Sequence, residues 1–285
     1  MGKFDALIFG SMADIGEIIT KDLTAHGRNV IRVDFPQNIF RDFSGYRREL
    51  FKAIDRYHPE MVIPVGDQLS LAKLKDELPQ GIIAATDSEK NISILDSKVR
   101  TYRLAECLGI PQPRLFHAGN APDKVIFKRD VSFGGSGVHV PTSRKALDNL
   151  IAHENGTPYL IEEYICGEDI SADCVRFDGY FRAECYKSVL RTYTQGPAVT
   201  RLATDCPEAV RFAEIILDNI GYQGVCGMDF RKAADGKLYF LECNARFTGG
   251  LSTQLENGFD IPVLLFSGFR RRRSQADNCQ YQDKL

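Results

Sequence analysis

Gly227-Met228-Asp229-Phe230 … Tyr239-Phe240-Leu241-Glu242-Cys243-Asn244-Ala245-Arg246 is the stretch on which the reading of this chain turns. It reads as two strands joined by a turn. Asp229 interrupts an apolar alternation between Met228 and Phe230. Ala234-Asp235-Gly236-Lys237 makes the connection, because Asp-Gly tolerates the positive φ of a tight hairpin. The second strand, 237–243, is nearly continuous in apolar residues until Glu242 breaks it. Side chains alternate along a strand, so Glu242 and Asn244 project to one face. With Asp229 across the hairpin they form an all-oxygen cluster. Such a cluster suits Mg²⁺, which takes one or two carboxylates plus substrate phosphates. A polar strand end facing solvent is the simpler alternative.

Upstream lies Lys128-Arg129-Asp130-Val131-Ser132-Phe133-Gly134-Gly135-Ser136-Gly137-Val138. A basic residue at a strand end followed by glycines can cradle phosphate, since glycines let backbone N–H groups approach an anion. It is not a Walker A loop, because no Gly-Lys-Ser/Thr closes it and no helix follows at once. A flexible hairpin tip is the other reading. Leu160-Ile161-Glu162-Glu163-Tyr164-Ile165-Cys166-Gly167-Glu168-Asp169 is a strand, a turn at Gly167 and another strand. Paired acids at a strand end are often solvated edge charges.

Outward from these parts, residues 4–34 read strand, turn, helix, strand, with a further helix over 46–57 and strand over 61–65. Alternating strands and helices argue for a parallel, doubly wound sheet. Ligands bind beyond the carboxyl ends of such strands, here near Gly10, Asp34 and Gly66-Asp67. A helix over 93–108 carries Lys98, and Pro111 and Pro113 then break the chain. A helix over 209–219 leads into the hairpin. Arg270–Arg273 reads as a solvated helix end that can also meet an anion, and the chain from Ser274 reads as a disordered polar tail.

The chain has 285 residues, enough for about two domains. Its net charge of −2 gives no global argument for nucleic acid or an anionic membrane. The eight cysteines include no CxxC, which points to a reducing cytoplasm rather than a disulfide framework. No uncharged apolar run approaches about 18 residues, so no membrane span is expected.

In this order, the lysine-bearing helix, the Lys128 glycine loop, Glu-Glu-Tyr-Ile and the Asp229…Glu242-x-Asn244-x-Arg246 hairpin closely resemble the ATP-grasp superfamily over about residues 93–265. The resemblance is nearest to the ATP-binding halves of the carbamoyl-phosphate synthase large chain and their small single-chain relatives. Residues 1–90 resemble the biotin carboxylase N-terminal-type domain that precedes ATP-grasp. The implied architecture is α/β. A Rossmann-like pre-ATP-grasp domain spans 1–92, a two-subdomain ATP-grasp fold spans 93–270, and a polar tail spans 271–285.

The resemblance also implies roles. Lys98 and Lys128 hold ATP phosphates, and Gly134, Gly135, Ser136 and Gly137 form a mobile lid. Glu162, Glu163, Tyr164 and Ile165 form the hinge that holds adenine, largely through main-chain groups. Asp169 stands where the family usually has a Glu on the ribose hydroxyls, and it is one methylene shorter. Asp229, Glu242 and Asn244 match the Mg²⁺ ligands, with Mn²⁺ as a substitute. Their Asp229-to-Glu242 spacing is one residue shorter than in the synthase. Arg246 and Lys128 are the expected catalytic pair.

The implied activity is an ADP-forming ligase joining a small-molecule carboxylate to an amine or thiol through an acylphosphate. A homodimer is one candidate assembly, for which the apolar run 259–266 would serve as an interface, although core packing of a last helix accounts for that run more simply. Two alternatives stay open: a synthase-like subunit acting with a partner chain, and a non-catalytic nucleotide-binding or regulatory module. Arg191 and Arg201 are candidates for a substrate carboxylate. A dinucleotide reading of Gly10…Gly16 with Asp34 lacks the middle glycine and any Tyr-x-x-x-Lys pair.

Overall fold

Ala6–Gly10 and Met61–Val65 are buried along their whole length, so both faces of these strands need cover. The computed structural model describes residues 3–35, 42–132, 134–191 and 198–282 and shows that cover. The two segments are β1 and β3. With β2 (Val30–Asp34) and β4 (Ile83–Ala84) they form a parallel sheet ordered β2-β1-β3-β4. Helix α1 (Ala13–Ala25) packs Ile15 and Ile19 against one face. Helices α2 (Phe43–Tyr57) and α3 (Gln68–Lys73) pack Tyr46, Leu50 and Leu71 against the other.

The single helix expected over 93–108 is two helices, α4 (Glu89–Leu95) and α5 (Lys98–Cys107). The reason lies in two serines. Ser88 and Ser97 each accept a hydrogen bond from the backbone N–H three residues on, at 3.2 Å, and so start a new helix. Lys98 therefore opens α5 instead of lying within a longer helix.

A small antiparallel sheet follows, ordered β6-β5-β7. It contains β5 (Val125–Arg129), β6 (Val138–His139) and β7 (Tyr159–Glu163), with α6 (Arg144–His153) packed against it. The larger antiparallel sheet contains β8 (Gly167–Phe177), β9 (Tyr180–Arg191), β10 (Ala198–Thr204), β11 (Gly224–Ala233) and β12 (Leu238–Asn244). Its order is β10-β9-β8-β11-β12. Helix α7 (Pro207–Ile220) connects β10 to β11 and covers one face, where Ile170, Ala172, Cys174, Cys226, Met228, Phe230 and Cys243 are buried. The opposite face presents Asp169, Ser171, Asp173, Asp229, Glu242 and Asn244, as the period-two alternation requires.

Helices α8 (Leu251–Glu256) and α9 (Ile261–Gln282) close the chain. Phe266 and Phe269 of α9 join Phe177 and Val225 to Ile15 and Ile19, binding the large sheet to the N-terminal unit. The arginine run is not simply solvated: Arg270 pairs with Glu60 at 3.1 Å, and Arg272 lies 3.7 Å from Asp178. The helix also runs on past Ser274, through the segment expected to be disordered, to Gln282. Residues 283–285 of that tail, and Phe133 of the glycine loop, lie outside the described residues. No helix among the described residues is long and apolar enough to cross a membrane.

Candidate active site

The hairpin contains a device that the apolar run concealed. Asp229 pairs directly with Glu242, and Phe230 pairs with Phe240, so Leu241 is an extra residue on β12. Such a bulge reverses the alternation. Without it, Glu242 would share the buried face of Leu238 and Phe240. With it, Glu242 and Asn244 join Asp229 on the polar face. The bulged residue is also used, since its carbonyl accepts a hydrogen bond from Lys128 Nζ at 3.4 Å. The turn forms at Asp235-Gly236, where Gly236 has φ +88°.

Two lysines from separate elements converge on this face. Lys98 stands at the first position of α5, and Ser97 and Asp130 fix that helix end. Ser97 Oγ donates to Asp130 Oδ1 at 2.9 Å, and Val99 N–H donates to the same oxygen at 2.8 Å. Lys98 Nζ lies 3.1 Å from Glu242 Oε2 and 3.4 Å from Ser132 Oγ. Lys128 Nζ, from β5, lies 2.7 Å from Glu162 Oε1, and Tyr102 donates its hydroxyl to the other oxygen of Glu162. Glu162 is wholly buried and serves as the counter-ion of Lys128. Period two puts Glu162 on the same face as Leu160, whose apolar side chain was the signal the sequence held.

The carboxylates differ in charge state. Burial pushes Asp229 up to about 7, and the adjoining Glu242 carboxylate adds to the rise. Burial acts on Glu242 in the same direction. There Lys98 and Lys128 outweigh it and hold that carboxyl below its ordinary value. Burial also raises Asp96, which accepts Ala245 N–H at 3.4 Å behind the hairpin end. Arg246 donates to Asn244 Oδ1 at 2.9 Å and to the Phe247 carbonyl at 3.2 Å, so it orients the amide.

Two carboxylates and an amide oxygen, with an ammonium already beside Glu242, form a donor set that fits a hard divalent cation. The glycine loop connects β5 to β6. Gly134 and Gly135 take φ +57° and +76°, conformations that side chains resist. At Gly137 a Cβ would come within 2.5 Å of the Ser132 side chain.

Other expected residues have partners of their own. Glu163 N–H donates to the Arg114 carbonyl at 2.8 Å, and Lys124 Nζ sits 4.0 Å from the Tyr164 ring centre. Ile165 lies in the irregular connection from β7 to β8. Asp169 meets Arg191 at 2.7 Å and Arg231 at 2.9 Å. Arg201 is buried against Asp173 at 2.5 Å and against Ser171 and Thr248. The two arginines offered for a substrate carboxylate are therefore paired with carboxylates of the chain itself.

Parallel sheet, small antiparallel sheet and large antiparallel sheet, with acids and lysines converging on one face, define the ATP-grasp fold with its preceding domain. The biotin carboxylase domain of Hydrogenobacter thermophilus 2-oxoglutarate carboxylase, solved with MgADP, ADP and bicarbonate as a dimer, superposes with a TM-score of 0.76. It is 16% identical, and the match covers 95% of this chain and 70% of that one. An L-amino acid ligase from Bacillus licheniformis gives 0.72 at 16% identity, covering 94% and 75%. The N5-carboxyaminoimidazole synthetase of Staphylococcus aureus, in complex with ADP, gives 0.70 at 13% identity, covering 94% and 78%. The family described as "ATP-grasp in the biosynthetic pathway with Ter operon" matches residues 155–285, a little under half of the chain. No curated protein matches the chain by sequence.

Proposed function

We propose that this chain is an ADP-forming ligase that joins a small-molecule carboxylate to an amine, with ATP as phosphoryl donor. One observation carries the reading: Lys98 and Lys128, from two different elements, converge on the face that Asp229, Glu242 and Asn244 share. Asp229, Glu242 and Asn244 would hold Mg²⁺, which when bound neutralises charge building on the terminal phosphates.

Lys98 and Lys128 each already touch an anionic or carbonyl oxygen, so phosphate oxygens replace ligands of the same kind. Backbone N–H groups of Gly134 to Gly137 cover the phosphates and exclude water. Main-chain groups of 162–165 hold adenine, and Asp169, fixed by Arg191 and Arg231, faces the ribose. The substrate carboxylate attacks the γ-phosphorus. An O–P bond forms as the bond to ADP breaks, giving an acylphosphate. The amine then attacks the acyl carbon, phosphate leaves, and the amine gives up a proton. Arg246, held beside Asn244, stabilises the oxyanion formed in that step.

Phosphate release measured with ATP, Mg²⁺ and a panel of amino acids and small acids tests this. One carboxylate–amine pair should stimulate release at least tenfold, and hydroxylamine in place of the amine should trap a hydroxamate. No stimulation by any pair would favour a nucleotide-binding module without turnover.

A further inference from the structure

Asp130 opens the glycine loop, yet its carboxylate leaves the small sheet and reaches the first turn of α5. Ser97 Oγ lies 2.9 and 3.0 Å from its two oxygens, and Val99 N–H donates to one of them at 2.8 Å. Ser97 in turn accepts from Arg100 N–H at 3.2 Å. Two of the N–H groups that a helix start leaves open are therefore satisfied, one of them by a residue 31 positions away. Asp130 also meets Lys98 at both ends. Its carbonyl oxygen lies 3.5 Å from the Lys98 backbone nitrogen and 3.4 Å from Lys98 Nζ.

α5 and β5 pack into different cores. Tyr102 and Ala105 of α5 join Phe230 and Phe240 of the large sheet, whereas Val125 and Phe127 of β5 join Leu147 of α6. On its own side Asp130 is anchored, since its N–H donates to the Pro158 carbonyl at 3.0 Å. The loop beyond it is closed on itself. Arg129 N–H donates to the Gly137 carbonyl at 2.8 Å, and Val138 N–H to the Gly135 carbonyl at 3.0 Å. Ser132 sits inside that closure against Gly137, with its hydroxyl 3.4 Å from Lys98 Nζ. A shift of α5 against the loop would therefore break hydrogen bonds to a carboxylate, which are stronger than those between neutral groups. Ser88 starts α4 and Ser143 starts α6 through the same serine bond, so a serine is enough to begin a helix in this chain. The bonds that Asp130 adds are what a fixed spacing requires and a helix start does not.

We propose that Asp130 is a positioning residue for the nucleotide: it holds Lys98 at one distance from the glycine loop, so that both meet the same terminal phosphates. The inference deepens the ligase reading and rests on its nucleotide site. Asp130 acts through Lys98 and the loop and touches no phosphate itself. Its effect is therefore confined to ligands that carry terminal phosphates.

Isothermal titration of the full chain with ATP and with AMP, both at saturating Mg²⁺, tests this. The parent chain should bind ATP at least tenfold more tightly than AMP. Asp130→Ala should weaken ATP about tenfold and AMP less than about twofold. Asp130→Asn keeps an acceptor oxygen for Ser97 and Val99 and should stay within about threefold of the parent chain for ATP. In a Lys98→Met background the loss from Asp130→Ala should shrink to about threefold or less, since no ammonium is left to place. Ser97→Ala removes one donor to Asp130 and should weaken ATP about threefold, so it carries the same comparison if Asp130→Ala does not fold. Equal weakening of ATP and AMP, or an undiminished loss in the Lys98→Met background, would make Asp130 a helix cap alone and overturn the assignment. A loss with Asp130→Asn as large as with Asp130→Ala would overturn it too. A parent chain that binds ATP no better than AMP would overturn the nucleotide site and this inference with it, a failure visible before any substitution is made.

Discussion

The polar face of the large sheet and the carboxyl edge of the N-terminal sheet both bury ionisable groups, and they treat them in opposite ways. Around the polar face of the large sheet three buried pairs form, Lys98 with Glu242, Lys128 with Glu162 and Arg201 with Asp173, and Asp229 is the exception, with no ion pair among the described residues. At the N-terminal edge Asp67 stands without a cation, and the hydroxyls of Ser11 and Tyr46 stand without partners. Paired charges compensate one another and can exchange one partner for another. An unpaired carboxylate instead shifts toward its neutral form and destabilises the fold when ionised. The first arrangement suits a site that receives phosphates and a metal ion.

The largest effect expected from this contrast is at Glu162. Glu162→Gln removes the counter-ion of Lys128 and leaves a buried ammonium uncompensated. Breaking a buried pair in this way costs about 3–5 kcal/mol, read by urea denaturation at pH 7. A loss below about 1 kcal/mol would mean that the pair is not a buried one.

Asp67→Asn should act in the opposite direction. The folded carboxyl titrates at about 7. An unfolded aspartate titrates at about 3.9. Below the unfolded value both states are protonated and the substitution changes little. As pH rises through the interval, only the unfolded state ionises, and the parent chain loses stability. Above about pH 7 the loss is complete, up to about 4 kcal/mol at roughly 1.4 kcal/mol per unit. Asp67→Asn should therefore match the parent chain near pH 4 and exceed it at pH 8. Equal stability of the two at pH 8 would erase the contrast between the regions.

The two regions also differ in how much the sequence disclosed. The hairpin, its Asp-Gly turn and the shared face of Glu242 and Asn244 follow from alternation and turn chemistry alone. The parallel N-terminal sheet follows from the spacing of apolar runs. The bulge at Leu241 does not, because a run of Tyr239-Phe240-Leu241 looks the same with or without an extra residue. The split between α4 and α5 was legible in Ser97, whose hydroxyl starts a helix better than it continues one. Counter-ions were the least legible. Glu162 and Lys128 are far apart in the chain, and only the pairing of β5 with β7 brings them together. The burial of Asp67 was hidden for a related reason, since burial without a partner is a property of the packed edge and not of Gly66-Asp67 as a dipeptide.

The central claim is that the β11–β12 hairpin holds a metal–nucleotide complex, and Mn²⁺ electron paramagnetic resonance with ADP reads this most directly. The parent chain should take up Mn²⁺ saturably when ADP is present and weakly when it is absent. Glu242→Gln should weaken Mn²⁺ at least tenfold in the presence of ADP, and ADP binding without metal should change little. If Glu242→Gln binds Mn²⁺ and ADP together as tightly as the parent chain, the hairpin is not the metal site.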